Sequence, residues 1–318
     1  MSVFAPHIKK MMDMYHNLGF DLYYLECNLN EFDSYCNCRS YSELTVTKEF
    51  AEEWIYSSNT SSKQQLDKRV RTMKYLGRYL NSIGIEAYIP TYSLKADPSK
   101  PPTLLDNEDL AVLFKAFDLL QPGQRKKNPN RHYLYPVIFR LIYACGLRSS
   151  EACNLKVEDV DLQEGKLTIW HSKGNKDREV YMDQSMLDLC IRFNEVYTHV
   201  LPARRYFFQP SYEMPKFTNM NLCDAFNLGL KKANLQDKYP NQPTVHGLRH
   251  LFACKSMAKC LEQGYDFNNW IKYLSQYMGH KTPNETLYYL HTITDLIPQY
   301  AEKMKALETG SGVVYEED

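Results

Sequence analysis

Three features of this 318-residue sequence predict a mainly α chain with a small antiparallel β-sheet, organised as a helical first part and an α+β second part. Apolar residues recur at three- and four-residue spacing along most of its length. One pair of short alternating segments brackets a Gly-Asn turn. A proline-rich break, with Pro98, Pro101 and Pro102 inside Thr91–Pro102, removes backbone donors and forces extended geometry near residue 100.

The elements follow in order. Lys48–Tyr56 reads as a helix with Thr45 or Thr47 as cap, and Leu66, Val70, Met73, Leu76 or Gly77, Leu80 and Ile83 place an amphipathic helix over about 64–83, stopped by Gly84. Arg71, Lys74 and Arg78 fall on one flank of it, with Lys68 and Arg69 adding charge, so this flank is a candidate phosphate-binding face. Beyond the break, Asp106 caps a helix carrying Leu110, Leu113, Phe114, Phe117 and Leu120. Tyr133–Cys145 is apolar almost throughout, a buried helix ending at Gly146. Gly165–Ser172 and Arg178–Met182 form a hairpin turning near Gly174-Asn175. The rest is helical in pattern, with loops near Gln209–Pro215 and Lys238–Pro243, and ends in an amphipathic Thr294–Leu307. The domains expected are a helical piece, 1–95, a linker, 96–104, a second domain, 105–307, and a disordered tail, 308–318.

Composition narrows the classes. Gly 13 and Pro 15 are ordinary counts and exclude collagen-like or broadly disordered chains. No run approaches the ~18 apolar residues of a membrane span, and the first twenty residues show no leader pattern. Nine scattered cysteines are expected as reduced thiols in a cytoplasmic setting, Cys36 and Cys38 being structural. Lys+Arg 38 balances Asp+Glu 38, and no third of the chain is basic, so a basic surface must come from folding charges onto separate faces.

Four stretches can carry chemistry: Gly146-Leu147-Arg148-Ser149-Ser150-Glu151, Ser172-Lys173-Gly174-Asn175-Lys176-Asp177-Arg178-Glu179-Val180, His246-Gly247-Leu248-Arg249-His250, and Gly279-His280 with Tyr289 nine positions on and His291 after it. Individually each has a plain structural reading; Arg148, for instance, could cap its helix or pair with Glu151. Together, in this order, they resemble the boxes of the tyrosine recombinase (phage integrase) family, over about 105–305. Residues 1–95 resemble the family's helical DNA core-binding domain only in size, helicity and position.

The resemblance implies a site-specific DNA recombinase that cuts and rejoins double-stranded DNA by transesterification, with no metal, ATP or other cofactor. Arg148 and Arg249 would give bidentate, permanently charged donors to the non-bridging phosphate oxygens. His246 would be an acid/base, His280 a donor to the scissile phosphate, Lys173 the acid for the leaving 5′-hydroxyl, and Tyr289 the nucleophile. Tyr288 adjoins Tyr289 and points about 100° away on a helix; family spacing selects Tyr289. Also implied are a homotetramer on paired sites, possibly through exchange of the C-terminal helix, a mobile-element or integration role, and a cytoplasmic, nucleoid-associated location. The alternatives are a non-catalytic DNA-binding accessory protein of the same fold and a type IB topoisomerase-like nicking-closing enzyme.

Overall fold

The computed structural model describes residues 1–20, 22–57, 62–94, 102–124, 127–172, 176–280, 282 and 284–287. The chain divides into two compact units, Met1–Lys100 and Pro101–Asp318.

The first unit is built from α1 (Ala5–Asn17), α2 (Tyr23–Cys38), α3 (Lys48–Tyr56) and α4 (Lys63–Ser82). Thr47 caps α3, its side chain accepting from the Phe50 N–H at 3.2 Å. The expected stripe on α4 is largely core: Val70, Met73, Leu76 and Leu80 are buried with Phe32, Phe50 and Trp54. Ile83, just past the helix end, is exposed instead. Arg69 also departs from expectation. Rather than joining the basic flank it is buried, donates to the Trp54 carbonyl at 2.7 Å, stacks on the Trp54 ring and pairs with Glu31. A buried guanidinium needs partners of this kind. Arg71 and Arg78 stay exposed and Lys74 is partly exposed; Arg71 pairs with Asp67 at 2.7 Å.

The second unit opens with α5 (Asn107–Asp118), where Asp106 accepts from the Asp109 N–H at 2.8 Å. Next comes α6 (Arg131–Cys145), none of whose residues is exposed, which ends where Gly146 turns left-handed, φ 61°. The short α7 (Ser149–Asn154) leads to a three-stranded antiparallel sheet: β1 (Val160–Asp161), β2 (Lys166–Ser172) and β3 (Lys176–Tyr181), in that order. The hairpin register pairs Leu167 with Val180 and Ile169 with Arg178. Strand β1 was not expected; two residues are too few for any alternation to register in the sequence. The remaining helices are α8 (Gln184–Val200), α9 (Asn219–Lys232), α10 (Val245–Gln263), α11 (Phe267–Met278) and α12 (Asn284–Leu287). One core gathers Phe117, Phe139, Ile142, Leu167, Val180, Phe226 and Leu248. Among the described residues no helix is long and apolar enough to cross a membrane.

Close approach of α9 to α5 depends on Gly229, where an added Cβ would lie 2.3 Å from the Phe117 ring. Phe117 is fully buried and stacked on Phe139 at 4.5 Å, so it has little room to yield. Gly229→Ala is therefore expected to destabilise the second unit by about 1–3 kcal/mol through overpacking, read as a lower urea midpoint. An unchanged midpoint would show that the ring moves freely.

Candidate active site

Helix ends, not helix faces, assemble the site. Gly146 closes α6 and Gly279 closes α11, both in the left-handed region that glycine enters without strain. Within two residues of each glycine the chain delivers a candidate residue: Arg148 heads α7, and His280 follows α11. The first turns of α10 supply His246, Arg249 and His250, with Thr244 capping that helix.

Arg249 is only 1% exposed. Its guanidinium donates to the Gly146 carbonyl at 2.6 Å and the Met278 carbonyl at 2.7 Å, and lies 3.1 Å from His280 Nε2. Carbonyls at a helix C-terminus lack intrahelical partners and carry partial negative charge. Arg249 therefore serves the ends of α6 and α11 together. Arg148 donates to Glu151 Oε1 and to the Gly279 carbonyl, each at 2.8 Å. The structure thus brings together Arg148, Arg249 and His280. His246 sits beside them, its ring packed edge-on against His250 at 4.5 Å and close enough to disfavour a charge on His280. Lys173 and Tyr289, with Tyr288 and His291, lie outside the described residues.

A guanidinium can only donate, so His280 Nε2 accepts from Arg249 and the ring proton resides on Nδ1, which donates to Thr286 Oγ1 at 2.7 Å. Electrostatics agree with a neutral ring. Burial, then Arg249, Arg148, Arg178 and His246 push the His280 pKa down to about 4. His250 is pushed down to about 3 by burial and then by His246, Arg249 and His280. Glu151 goes the other way. Burial alone would raise its carboxyl, but the hydrogen bonds and charge of Arg178, followed by Arg148, outweigh that and hold it at about 2.

Three residues of this arrangement were given no site role from sequence. Thr286, fully buried, orients His280; Arg178 holds Glu151; and Glu151 was visible only as one possible partner of Arg148. The spacing of Arg148 and Glu151, three residues apart across a helix start, is the signal that could have marked the last. Among the described residues no group of three or more His, Cys, Asp or Glu side chains could hold a metal ion.

The depressed imidazoles make stability fall with acid. Unfolded histidine titrates near 6.5, whereas His280 and His250 stay neutral down to about 4 and about 3. Between pH 6.5 and those values the unfolded chain binds more protons, so each unit of acidification favours unfolding. Glu151 contributes in the same direction only below about pH 4.5, as it nears its folded value of about 2. Urea midpoints are expected to drop from pH 7 to pH 5, with uptake of up to about two protons on unfolding, and His250→Gln should reduce that slope. A flat profile would contradict neutral, buried rings.

Residues 105–294 match the model of the Phage integrase family. The chain is 26% identical to the tyrosine recombinase XerA of Thermococcus kodakarensis, across 88% of this chain and 96% of that one. Among solved structures it resembles the XerH site-specific recombinase in a post-cleavage complex with its difH substrate (TM-score 0.60, 19% identity, 90% of this chain and 78% of that one). It also resembles a lambda integrase dimer bound to a core site (TM-score 0.59, 14% identity, 88% and 94%). These structural likenesses extend the common fold across both units, and the family match covers the segment that carries Arg148, Arg249 and His280. This chain belongs to the phage integrase family, that of the DNA strand-transferring tyrosine recombinases.

Proposed function

We propose that this protein is a site-specific DNA recombinase that cuts and rejoins duplex DNA through a covalent 3′-phosphotyrosyl intermediate on Tyr289. The observation that carries the reading is the meeting of Arg148, Arg249 and His280 at one place, although 131 residues separate Arg148 from Gly279 and 103 separate Arg249 from Gly146. Arg249 also supports the ends of α6 and α11, but that role alone does not call for crowding a second guanidinium and a neutral imidazole beside it. A phosphate that gains negative charge during reaction does require it.

In this reading the phenolic oxygen of Tyr289 attacks phosphorus as the bond to the 5′-oxygen breaks, and Lys173 gives the departing oxygen its proton. The phosphotyrosyl ester preserves the bond energy, so attack by another 5′-hydroxyl reseals the strand. Arg148 and Arg249 would supply permanent positive charge and N–H donors to the non-bridging oxygens. His246, exposed at the start of α10, is the proposed acid/base for proton exchange with the phenol. His280 accepts from Arg249 in the DNA-free protein, so donation to the phosphate requires it to take up a proton. The added negative charge of a bound, reacting phosphate offsets the arginines that oppose that protonation.

The first unit is proposed to clamp the DNA, with Arg71, Lys74 and Arg78 along the phosphate backbone. Assembly is proposed as a homotetramer on paired sites, with the amphipathic segment 294–307 exchanged between protomers.

A nicked suicide duplex, from which the 5′-hydroxyl fragment diffuses away after cleavage, should trap a covalent protein–DNA adduct. Tyr289→Phe should abolish it and Tyr288→Phe should retain it; an adduct surviving Tyr289→Phe would reassign the nucleophile. Arg148→Ala should slow adduct formation by about 10²–10³-fold, the usual loss for one transition-state donor. Replacing Lys74 and Arg78 together with Ala should weaken binding to all duplexes and lower the slope of log K against log salt by about 1 per phosphate contact. No change in slope would remove this flank from the interface.

A further inference from the structure

We propose that Arg178, on β3, is a positioning residue that allows Glu151 to orient Arg148 without cancelling its positive charge. The inference deepens the recombinase reading and rests on it.

The difficulty it resolves is electrostatic. Glu151 fixes Arg148 in two ways, accepting from its backbone N–H and from its guanidinium, both at 2.8 Å. A carboxylate this close gives direction but also neutralises the charge that a phosphate needs. Its side chain is only 5% exposed, so water screens little of that effect. Arg178 supplies a second cation. Its two terminal nitrogens grip both carboxylate oxygens, Nη1 to Oε1 and Nη2 to Oε2 at 2.8 Å each, the paired geometry that arginine makes best. Two guanidinium groups then share one carboxylate, and the set of Arg148, Glu151 and Arg178 keeps a net charge of +1.

Arg178 is itself held. Its Nε donates to the Tyr277 carbonyl at 2.7 Å, in the last turn of α11 and three residues before His280. Its side chain is 9% exposed, less than the 16% of Arg148, so it is buried behind the pair while Arg148 keeps the more open position. The fit is close around Gly279, where an added Cβ would lie 3.2 Å from Arg178 Nη1 and 3.4 Å from Arg148 Nη1. One side chain therefore joins β3, the start of α7 and the end of α11. Lysine could restore the charge, but a single ammonium could not span both carboxylate oxygens and the Tyr277 carbonyl in this planar arrangement.

Single-turnover cleavage of the suicide duplex by the full chain tests this, with DNA affinity measured alongside. Arg178→Gln is expected to slow cleavage at least tenfold while leaving affinity within twofold, because Glu151 then loses its second guanidinium and draws more fully on Arg148. Arg178→Lys should fall between that variant and the wild type. Adding Glu151→Gln to Arg178→Gln removes the carboxylate charge that Arg178 offsets, so the double variant should be no slower than Arg178→Gln, whereas independent losses would multiply. A merely structural staple would give multiplying losses, or a loss of affinity, and either would overturn the inference. So would an Arg178→Gln rate within twofold of wild type. Should Arg178→Gln fail to fold, Arg178→Lys carries the same cycle. No adduct from the wild-type protein overturns the recombinase reading and this inference with it; an adduct from wild type with multiplying losses overturns this inference alone.

Discussion

The buried guanidinium of Arg249 is the interaction on which the second unit's site depends. It completes the hydrogen bonding of the Gly146 and Met278 carbonyls and touches the imidazole that follows. Two helices that are distant in sequence thereby end at the same point, and their ends are partly negative where the site needs support for positive charge. Like charges a few ångströms apart repel by roughly 4 kcal/mol at an effective dielectric of about 20. Carbonyl dipoles from α6 and α11, and the Glu151 carboxylate, offset that repulsion while leaving the arginines cationic.

Glycine makes the geometry possible. At Gly146 an added Cβ would strike the Phe252 ring at 2.4 Å, and at Gly279 it would press on both Arg148 and Arg178. Each position also has positive φ, 61° and 67°. Conformation and crowding thus restrict the same residues, and Arg148 and His280 follow them within two residues. The side chains of Arg148 and His280 follow helix termini packed into a core that includes Leu134, Ile142, Leu248 and Met278. That is the physical sense in which such a site is organised before any ligand arrives.

Much of this was legible in the sequence because it rests on local rules. The caps at Thr47 and Asp106, the stop of α6 at Gly146 and the β2–β3 hairpin follow from short-range patterns. Arg148, Arg249 and His280 were legible only through the resemblance of their ordered boxes to those of the family. What stayed hidden is long-range. Nothing near Arg69 announces that Trp54 and Glu31 will enclose it, and its sequence neighbours Lys68 and Arg71 are exposed. Arg178 alternates along a strand as a surface cation would, yet its partners lie 27 and 99 residues away. Thr286 is one polar residue in a polar stretch until a ring nitrogen is found against it. Periodicity shows which side of an element is buried; it does not show which charged group shares the burial.

The neutrality of His280 ties these points to function. A protonated imidazole beside Arg148, Arg178 and Arg249 would add a further positive charge to a half-buried site in the resting protein, and burial together with those charges prevents it. The ring is nevertheless held ready, since Thr286 fixes the Nδ1 proton and Arg249 marks where Nε2 points. In the proposed reaction a phosphate bound among the arginines would bring negative charge that opposes their share of the effect, though not that of burial. On the proposed chemistry the substrate itself therefore switches His280 from acceptor to donor. The site is then most cationic only when the charge it must stabilise is present, and the fold is spared from carrying that extra charge at rest.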